Sequence, residues 1–295
     1  MIAPVVSVVV PARNAAGTLA EQMRALARQD YDQPWELVVV DNGSHDDTRA
    51  VAIAQPTHGR CSVLVVDEPR PGLNIARNAG VRASSAPLIA ICDADDLVSS
   101  GWLTAMAAGL ARWDLAGGAF EFALLNSPSA RAMRGVRPGQ ERVTTIGTGL
   151  GFLPQVIGAN IAFRREVWQA VDGFDESFAE GGDDVDFGWR CQHLGFSLGY
   201  VPEAVVHYRF RASKEALLRQ YVRDGTGSAH LYAIHRSAGM PRRQARDALR
   251  TWFWLARHAP WVLAGTAEKQ GQVLRVLGKN WGRVRGSVRH GVVFP

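Results

Sequence analysis

Short apolar runs alternate with amphipathic segments through the first third of the chain. The runs are rich in β-branched residues and predict buried strands, whereas the segments between them carry apolar side chains at helical spacing. The predicted strands are Val5–Val10, Glu36–Val40, Ser62–Val66 and Leu88–Cys92, and the predicted helices are Thr18–Gln29, Asp47–Ala54 and Gly72–Ser84. This order indicates an α/β fold with a mostly parallel, doubly wound sheet, whose sites lie at the carboxyl ends of the strands.

The pattern is less regular in the middle of the chain and becomes helical towards its end. Asn126–Thr148 is rich in Arg, Gly, Pro and Ser and is predicted to be a mobile loop. Further helices are predicted at Leu103–Trp113, Arg165–Val171 and Asp184–Leu194, and further strands at Asn160–Phe163, Leu198–Tyr200 and Val205–Tyr208. We therefore expect an α/β domain over residues 1–210, with halves divided near residue 98, and a helical extension over residues 211–295.

Composition is that of an ordinary globular protein. Apolar residues make up 47% and charged residues 21% of 295 positions, which is enough for a sizeable core. The three cysteines form no CxxC pair, which favours a reducing compartment and argues against a thiolate zinc site. The amino terminus is interpreted as a strand rather than a signal peptide, and no apolar run reaches the roughly 20 residues of a spanning helix. We therefore expect a cytoplasmic protein.

Three carboxylates follow the fourth predicted strand, in Asp93-Ala94-Asp95-Asp96. They repel one another unless a cation lies between them, and oxygen ligands at a strand end suit Mg²⁺ or Mn²⁺ bridging a diphosphate. Strand alternation places Asp93 and Asp95 on one side. The alternative is a group of helix N-caps before the helix that follows, which explains one aspartate more easily than three.

Two further carboxylate groups lie where a site is expected. Asp41 ends the second strand and could bind a pyrimidine edge or ribose hydroxyls; the alternative is an ordinary strand–turn–helix in which Asp46 or Asp47 caps the helix. Asp183 and Asp184 begin a predicted helix, whose dipole favours carboxylates there. The functional alternative for this pair is a general base beside a reacting hydroxyl.

Several weaker candidates keep two interpretations each. His207 ends a strand and could be a metal ligand or a packed core histidine. Arg77 and Asn78 follow the turn at Gly72 and could face a phosphate or solvent. The segment Gly147-Thr-Gly-Leu-Gly resembles a phosphate loop but lacks the strand–helix context, so we discount it.

Taken in order, these motifs resemble the family-2 inverting glycosyltransferases of GT-A fold. The resemblance covers roughly residues 4–210 and is specific through the order and spacing of its segments. The segments are Ser7–Asn14, Val38–Thr48, Gly72–Gly80, Asp93–Asp96, Gly173–Phe178 and Gly182–Asp186. It implies metal-dependent transfer of a sugar from a UDP- or dTDP-type nucleoside-diphosphate sugar to an acceptor hydroxyl, by one direct displacement with inversion.

The resemblance also implies roles for individual residues. The donor-binding residues would be Pro11, Ala12, Arg13, Asn14, Asp41, Gly72, Arg77, Asp93 and Ala94. Within this set, Asp41 would contact the nucleobase and Asp93 the ribose. Asp95 would bind Mn²⁺ or Mg²⁺, with His207 as a candidate further ligand.

The catalytic base would be Asp183 or Asp184. The family usually has Glu-Asp at this place, so the shorter first carboxylate leaves open which of the two reaches the acceptor. The expected acceptor is a glycan, a lipid-linked molecule or a small molecule, in cell-envelope or exopolysaccharide synthesis or in secondary metabolism. The Gln-x-x-Arg at Gln220 is followed by Asp224 and not by the tryptophan of processive synthases, so we expect transfer of one sugar or a few.

Two other classes of protein remain as alternatives. A catalytically silent nucleotide-sugar or glycan-binding protein of the same fold could lose Asp183 and Asp184 freely, yet the chain has both. A sugar nucleotidyltransferase would need a loop rich in glycine and lysine near the amino terminus. The segment Pro11–Thr18 contains no lysine.

Charge is distributed unevenly between the two predicted parts. From Arg209 onwards there are 17 basic and 4 acidic residues, a net charge of +13, whereas the preceding residues carry −8. The basic part also contains Trp252, Trp254, Trp261 and Trp281. Two interpretations are compatible: peripheral binding to an anionic membrane surface, at the inner face of the plasma membrane, or a helical subdomain packed on the catalytic domain. No nucleic-acid motif is present, and we expect no nucleic-acid partner.

Overall fold

The computed structural model describes residues 3–54, 61–143, 145–211 and 213–295. The strands are β1 (Val6–Ala12), β2 (Trp35–Asp41), β3 (Cys61–Asp67), β4 (Leu88–Cys92), β5 (Leu97–Val98), β6 (Leu115–Glu121), β7 (Arg142–Val143), β8 (Asn160–Arg164) and β9 (Leu198–His207). The α-helices are α1 (Ala16–Ala27), α2 (Thr48–Ala54), α3 (Leu73–Ala83), α4 (Trp102–Leu110), α5 (Pro128–Arg134), α6 (Arg165–Ala170), α7 (Asp183–His193), α8 (Lys214–His235), α9 (Ala245–His258), α10 (Trp261–Ala264) and α11 (Ala267–Arg289).

Within these residues the strands form one mixed sheet. Its order is β3-β2-β1-β4-β8-β6-β9-β5, with β7 paired to β6. Strands β1 to β4 are mutually parallel, as expected for βα units, and the register places Ala12 beside Asp41 and Asp41 beside Asp67 at their carboxyl ends. The predicted fold class, an α/β mixed sheet flanked by helices, is confirmed.

Alternate side chains of β1 enter two separate cores. Val8 and Val10 belong to a core that includes Leu19 of α1, whereas Val9 belongs to a core on the other face that includes Phe187 of α7. Both faces of the strand are therefore buried, which explains why its sequence is continuously apolar rather than alternating.

The second half of the sheet contains a strand that the sequence did not predict. Strand β6 includes Gly117 and Gly118, and glycine weakens the signal of a strand. The side chain of Asn160 explains the requirement for a small residue here: its Nδ2 donates to the carbonyl oxygens of Ala119 (2.8 Å) and Ala204 (3.0 Å) across a register shift. The two short strands predicted near residue 200 are one strand, β9.

The segment predicted as a mobile loop, Asn126–Thr148, contains helix α5 and strand β7, so the prediction was wrong for those residues. Ser127 caps the helix by accepting a hydrogen bond from the backbone N–H of Ala130 (3.2 Å), and Pro128 occupies the first turn. Arg134 at its end lies over the ring of Phe210 at 5.1 Å. A cap and contacts distant in sequence stabilise a helix whose own periodicity is weak.

The carboxyl-terminal part is helical, as predicted. Helices α8 and α11 pack along each other at close range, because a methyl group at Gly278 would lie 2.6 Å from Tyr221 Cβ and one at Gly286 would lie 2.7 Å from the carbonyl oxygen of Thr226. None of the helices in the described ranges is long and apolar enough to cross a bilayer.

Candidate active site

The loops after β1 and β2 are joined by hydrogen bonds at the carboxyl edge of the sheet. The backbone N–H of Asn14 donates to Ser44 Oγ (3.0 Å), and Asn14 Oδ1 accepts from the N–H of His45 (2.8 Å). Asp41 Oδ1 accepts from the N–H of Ser44 (3.2 Å), whereas Asp46 Oδ1 accepts from the N–H of Thr48 at the start of α2. Helix capping therefore falls to Asp46, and Asp41 stays buried at the strand end.

Asn42, which the sequence reasoning missed, holds a third loop over this edge. Its Nδ2 donates to the carbonyl oxygen of Arg70 (2.6 Å), and its Oδ1 accepts from the N–H of Gly72 (2.9 Å). The result is a cavity of about 480 Å³, which we call the strand-end cavity. Its wall includes Pro11, Ala12, Arg13, Asn42, Gly72 and Asp183. Four predicted donor residues thus meet one of the two predicted catalytic carboxylates.

The three aspartates after β4 form one cluster. Carboxylate oxygens of Asp93, Asp95 and Asp96 all lie within 4.8 Å of one another. Burial, opposed by Arg77 and reinforced by the charge of Asp95, raises the pKa of Asp93 to about 6. Burial and the charges of Asp93 and Asp95 raise the pKa of Asp96 to about 9. Asp93 Oδ1 and Asp96 Oδ2 are buried without a hydrogen-bond partner. Buried, unpartnered carboxylate oxygens at this spacing fit a hard divalent cation such as Mg²⁺ or Mn²⁺.

The alternative interpretation of this cluster, as helix N-caps, is not what the structure shows. Strand β5 follows the cluster, and helix α4 begins after Gly101 without a side-chain cap. Asp96 Oδ1 instead accepts from the backbone N–H of Arg209 (2.7 Å). Arg211 forms an ion pair with Asp95 (2.8 Å). The cluster therefore faces the segment after β9.

His207, the candidate further metal ligand, is not one of the three residues of this cluster, and its role as a ligand stays a prediction. It pairs with Glu121 in the register of β9 and β6, and its Nδ1 lies 2.7 Å from Glu121 Oε2. The strand pairing thus directs the ring to a different carboxylate.

Gln22 on α1 supports the cluster and was not identified from the sequence. It is fully buried, its Nε2 donates to the carbonyl oxygen of Asp93 (3.1 Å), and its Oε1 accepts from the N–H of Val98 (3.1 Å). In the sequence, the signal for this role is a glutamine among the apolar residues that form one face of a predicted helix.

Asp183 and Asp184 begin α7 after two glycines with positive φ, Gly181 and Gly182. Asp183 forms a buried ion pair with Arg77. Asp184 Oδ2 accepts from the backbone N–H of Gly158 (2.7 Å). Burial, followed by the charge of Asp183, raises the pKa of Asp184 to about 6. The two neighbouring carboxylates therefore have different partners.

Arg77 connects the two acidic motifs. Burial would lower its pKa, but the charges of Asp183, Asp93 and Asp184 outweigh burial and raise it. Only 2% of the residue is exposed, and its guanidinium lies 5.4 Å from the Phe174 ring centroid. Arg77 therefore does not face solvent, which was one of the two interpretations of its position; it lies buried beside Asp183.

A second cavity of about 590 Å³ lies next to Asp184, and we call it the helix-side cavity. Asp184 is in its wall. The rest of the wall comes from both parts of the chain, with aromatic rings from the sheet and polar side chains from α5, α8 and α11. These residues include Phe120, Phe122, Tyr208, Arg134, Gln220 and Lys279. Adjacent carboxylates thus open into two different cavities.

Comparison with known proteins assigns the family. The family model for glycosyl transferase family 2 matches residues 7–171, which is more than half of the chain. The chain belongs to glycosyl transferase family 2. This glycosyltransferase is 29% identical over 279 residues to the glycosyltransferase AglE of Haloferax volcanii, with 90% of the chain and 82% of AglE covered. It spans about half the length of several other curated glycosyltransferases that it matches.

Solved structures of similar proteins agree on the fold. The mannosyltransferase PcManGT of Pyrobaculum calidifontis, in complex with GDP-Man and Mn²⁺, superposes with a TM-score of 0.57 at 20% identity, covering 95% of this chain and 88% of that one. TarS of S. aureus in complex with UDP gives a TM-score of 0.55 at 14% identity, covering 98% and 93%. The predicted GT-A fold is confirmed, and at these identities the likeness concerns the fold alone.

Proposed function

We propose that this glycosyltransferase moves one sugar, or a few, from a nucleoside-diphosphate sugar to an acceptor hydroxyl with inversion at the anomeric carbon. The observation that carries the proposal is the position of Asp183 and Asp184 between two cavities. The strand-end cavity is lined by loop residues suited to a donor, and the helix-side cavity has room for an acceptor. A reaction between two bound molecules needs this arrangement.

Asp184 is the proposed general base. A carboxylate with a pKa of about 6 is ionised at neutral pH and is more basic than an ordinary aspartate. The acceptor oxygen attacks the anomeric carbon from the face opposite the leaving group, its proton passes to Asp184, and the bond to the diphosphate breaks with its electron pair on the leaving oxygen. Asp183, held by Arg77, positions Asp184 and the donor side of the site.

The aspartate cluster is the proposed metal site. Asp95, with Asp93 and Asp96 beside it, would hold Mn²⁺ or Mg²⁺. When bound, the cation supplies charge neutralisation to the departing nucleoside diphosphate. Asp93 is also proposed to contact the ribose and Asp41 the nucleobase, since both lie at the same edge of the sheet. Support for a metal comes from the buried, unpartnered oxygens of the cluster and from the Mn²⁺ complex of PcManGT.

We propose a UDP- or dTDP-type donor and an acceptor that is a glycan or lipid-linked molecule of the cell envelope or of an exopolysaccharide, with reaction at the cytoplasmic face of the membrane. The UDP complex of TarS supports a uridine donor, while the GDP-Man complex of PcManGT keeps guanosine in the screen. A small-molecule acceptor in secondary metabolism is the alternative acceptor class. Thermal stabilisation by nucleoside diphosphates with Mn²⁺ would rank the bases directly.

The base assignment is tested with Asp184→Asn and Asp183→Asn, which preserve shape and remove charge. We expect Asp184→Asn to lower kcat by about 10²–10⁴ with the donor Kd unchanged, since general-base catalysis contributes that much. In the Asp183→Asn enzyme the acidic limb of the pH profile should move below pH 6, because the Asp183 charge raises the pKa of Asp184. Loss of kcat in Asp183→Asn alone would instead assign the base to Asp183.

The metal assignment is tested by chelation and by two alanine variants. Donor hydrolysis and transfer should require Mn²⁺ or Mg²⁺, and Asp95→Ala should abolish both. Asp247→Ala is the matched control, because Asp247 is a partly exposed aspartate that pairs with Arg250 on α9 outside the cluster, and its metal requirement should stay that of the unaltered enzyme. Full activity in chelator would refute the metal role.

A further inference from the structure

Helix α9 exposes an apolar stripe. Leu249 and Phe253, one turn apart, are 71% and 73% exposed, and Leu263 in the following helix α10 is 89% exposed. A different side of α9 packs against the protein through Ala248 and Leu255, which are buried. The helix therefore has two apolar faces, and only one of them packs against the described part of the chain.

Arginines border the exposed stripe. Arg246, Arg250 and Arg257 are exposed and lie one position after Ala245, Leu249 and Ala256, so they form a neighbouring stripe on the same helix. The segment 239–264 contains five arginines and one acidic residue, Asp247. An apolar face bordered by arginine and rich in tryptophan is the pattern of a helix that lies in a membrane interface.

Charge complementarity identifies the occupant. A partner protein with an apolar patch would cover the apolar stripe but would provide no anionic groups for the arginines. An anionic bilayer satisfies both, because acyl chains take up the apolar side chains and lipid phosphates bind the guanidinium groups. Aromatic side chains such as Trp252, which is 36% exposed, favour the boundary between the acyl chains and the headgroups.

We propose that α9 and α10 form a docking surface for an anionic lipid bilayer, with Leu249, Phe253 and Leu263 entering the headgroup region and Arg246 and Arg257 at the phosphates. Helix α9 packs against α11, and α11 contributes Lys279 to the helix-side cavity. Docking would bring that cavity close to lipid-linked acceptors. Only this consequence rests on the proposed function; the docking itself does not.

The test is co-sedimentation of the full chain with vesicles of phosphatidylcholine alone or of phosphatidylcholine with phosphatidylglycerol, at low salt. We expect binding to the mixed vesicles, and at least about a tenfold weaker partition for the double variant Leu249→Gln/Phe253→Gln. The matched control is Ile53→Gln/Leu194→Gln, which alters side chains of similar exposure, 62% and 59%, elsewhere on the protein. The control should bind like the unaltered chain.

The arginine contribution has its own variant, Arg246→Gln/Arg257→Gln. It should weaken binding to the anionic vesicles only, and added salt should have the same effect on the unaltered chain. Donor hydrolysis in solution, without vesicles, is measured in parallel and should be unchanged in both α9 variants, so that failure of docking is distinguished from failure of the proposed reaction.

Three results would overturn the proposal. The first is the absence of binding to phosphatidylglycerol vesicles at low salt. The second is binding that the Leu249→Gln/Phe253→Gln variant retains in full. The third is a concentration-dependent dimer, detected by sedimentation velocity without vesicles and abolished by the same variant, which would assign the stripe to a second copy of this chain.

Discussion

Gly227 on α8 packs directly against the loop that precedes Asp183 and Asp184, the proposed catalytic carboxylates. A methyl group at this position would lie 2.5 Å from the carbonyl carbon of Gly181 and 2.6 Å from the carbonyl oxygen of Glu180, and closer still to the oxygen of Gly181. Ordinary van der Waals contact begins at 3.4 Å. The overlap is with backbone, so no side-chain rotation relieves it, and Gly227→Ala must separate α8 from this loop.

Two opposing free energies determine the stability of Gly227→Ala. Alanine favours a helix over glycine by about 1 kcal/mol, whereas overpacking a tight contact costs about 1–3 kcal/mol. The difference is a net loss of up to about 2 kcal/mol in the free energy of unfolding, and the overlap with backbone places Gly227→Ala in the upper half of that range. The displaced loop leads directly into Asp183 and Asp184 at the start of α7, and misplacing catalytic groups by about 1 Å can cost about 10²-fold in rate. We therefore expect kcat to fall by about ten- to a hundredfold.

Urea unfolding and steady-state kinetics measure the two effects separately. Gly17→Ala on α1 is the matched control, since a methyl group there would meet nothing within 4 Å, and we expect its stability and kcat to equal or slightly exceed those of the unaltered enzyme. If the stability and kcat of Gly227→Ala matched those of this control, the reasoning that α8 positions the loop before Asp183 and Asp184 would be refuted.

Two further predictions concern buried charges. Arg77→Gln removes the cation that lowers the pKa of Asp184, so the acidic limb of kcat/KM should move to a pH above 6; a limb that stays or moves down would contradict the role of Arg77. His235 Nε2 lies 2.9 Å from Asp186 Oδ1, and both residues are buried, so His235→Phe should lower the free energy of unfolding by about 1–3 kcal/mol in urea denaturation. His235→Gln, which can still donate a hydrogen bond, should lose less, and equal losses would argue against the bond.

The elements that the sequence predicted correctly are those whose signal is local. Strands β1 to β4 are apolar runs of β-branched residues, and α1, α3 and α7 have helical periodicity of their own. Elements stabilised by distant partners were missed or misassigned. Strand β6 contains two glycines, of which Gly118 accommodates the Asn160 side chain, and α5 has a single cap and a contact between Arg134 and Phe210. Propensity carries no information about such partners.

The residues of the candidate site also fall into those that the sequence predicted and those that it did not. The order of the motifs was enough to predict the family and to single out the carboxylates Asp41, Asp93, Asp95, Asp183 and Asp184, because the carboxyl ends of parallel strands meet at one edge of a sheet. The residues that hold these carboxylates in place were not predictable, since Asn42, Gln22, Arg209 and Arg211 act through contacts with residues distant in the chain.

The sequence by itself determined the fold class, the family and the positions of the acidic motifs, because hydrophobic periodicity and motif spacing are properties of the linear chain. Only the tertiary structure decided what each charged group faces. It turned His207 towards Glu121, placed Arg77 between the two acidic motifs, and gave Asp183 and Asp184 different cavities and partners. Burial and the positions of neighbouring charges set the pKa of a carboxylate, and both exist only once the chain has folded.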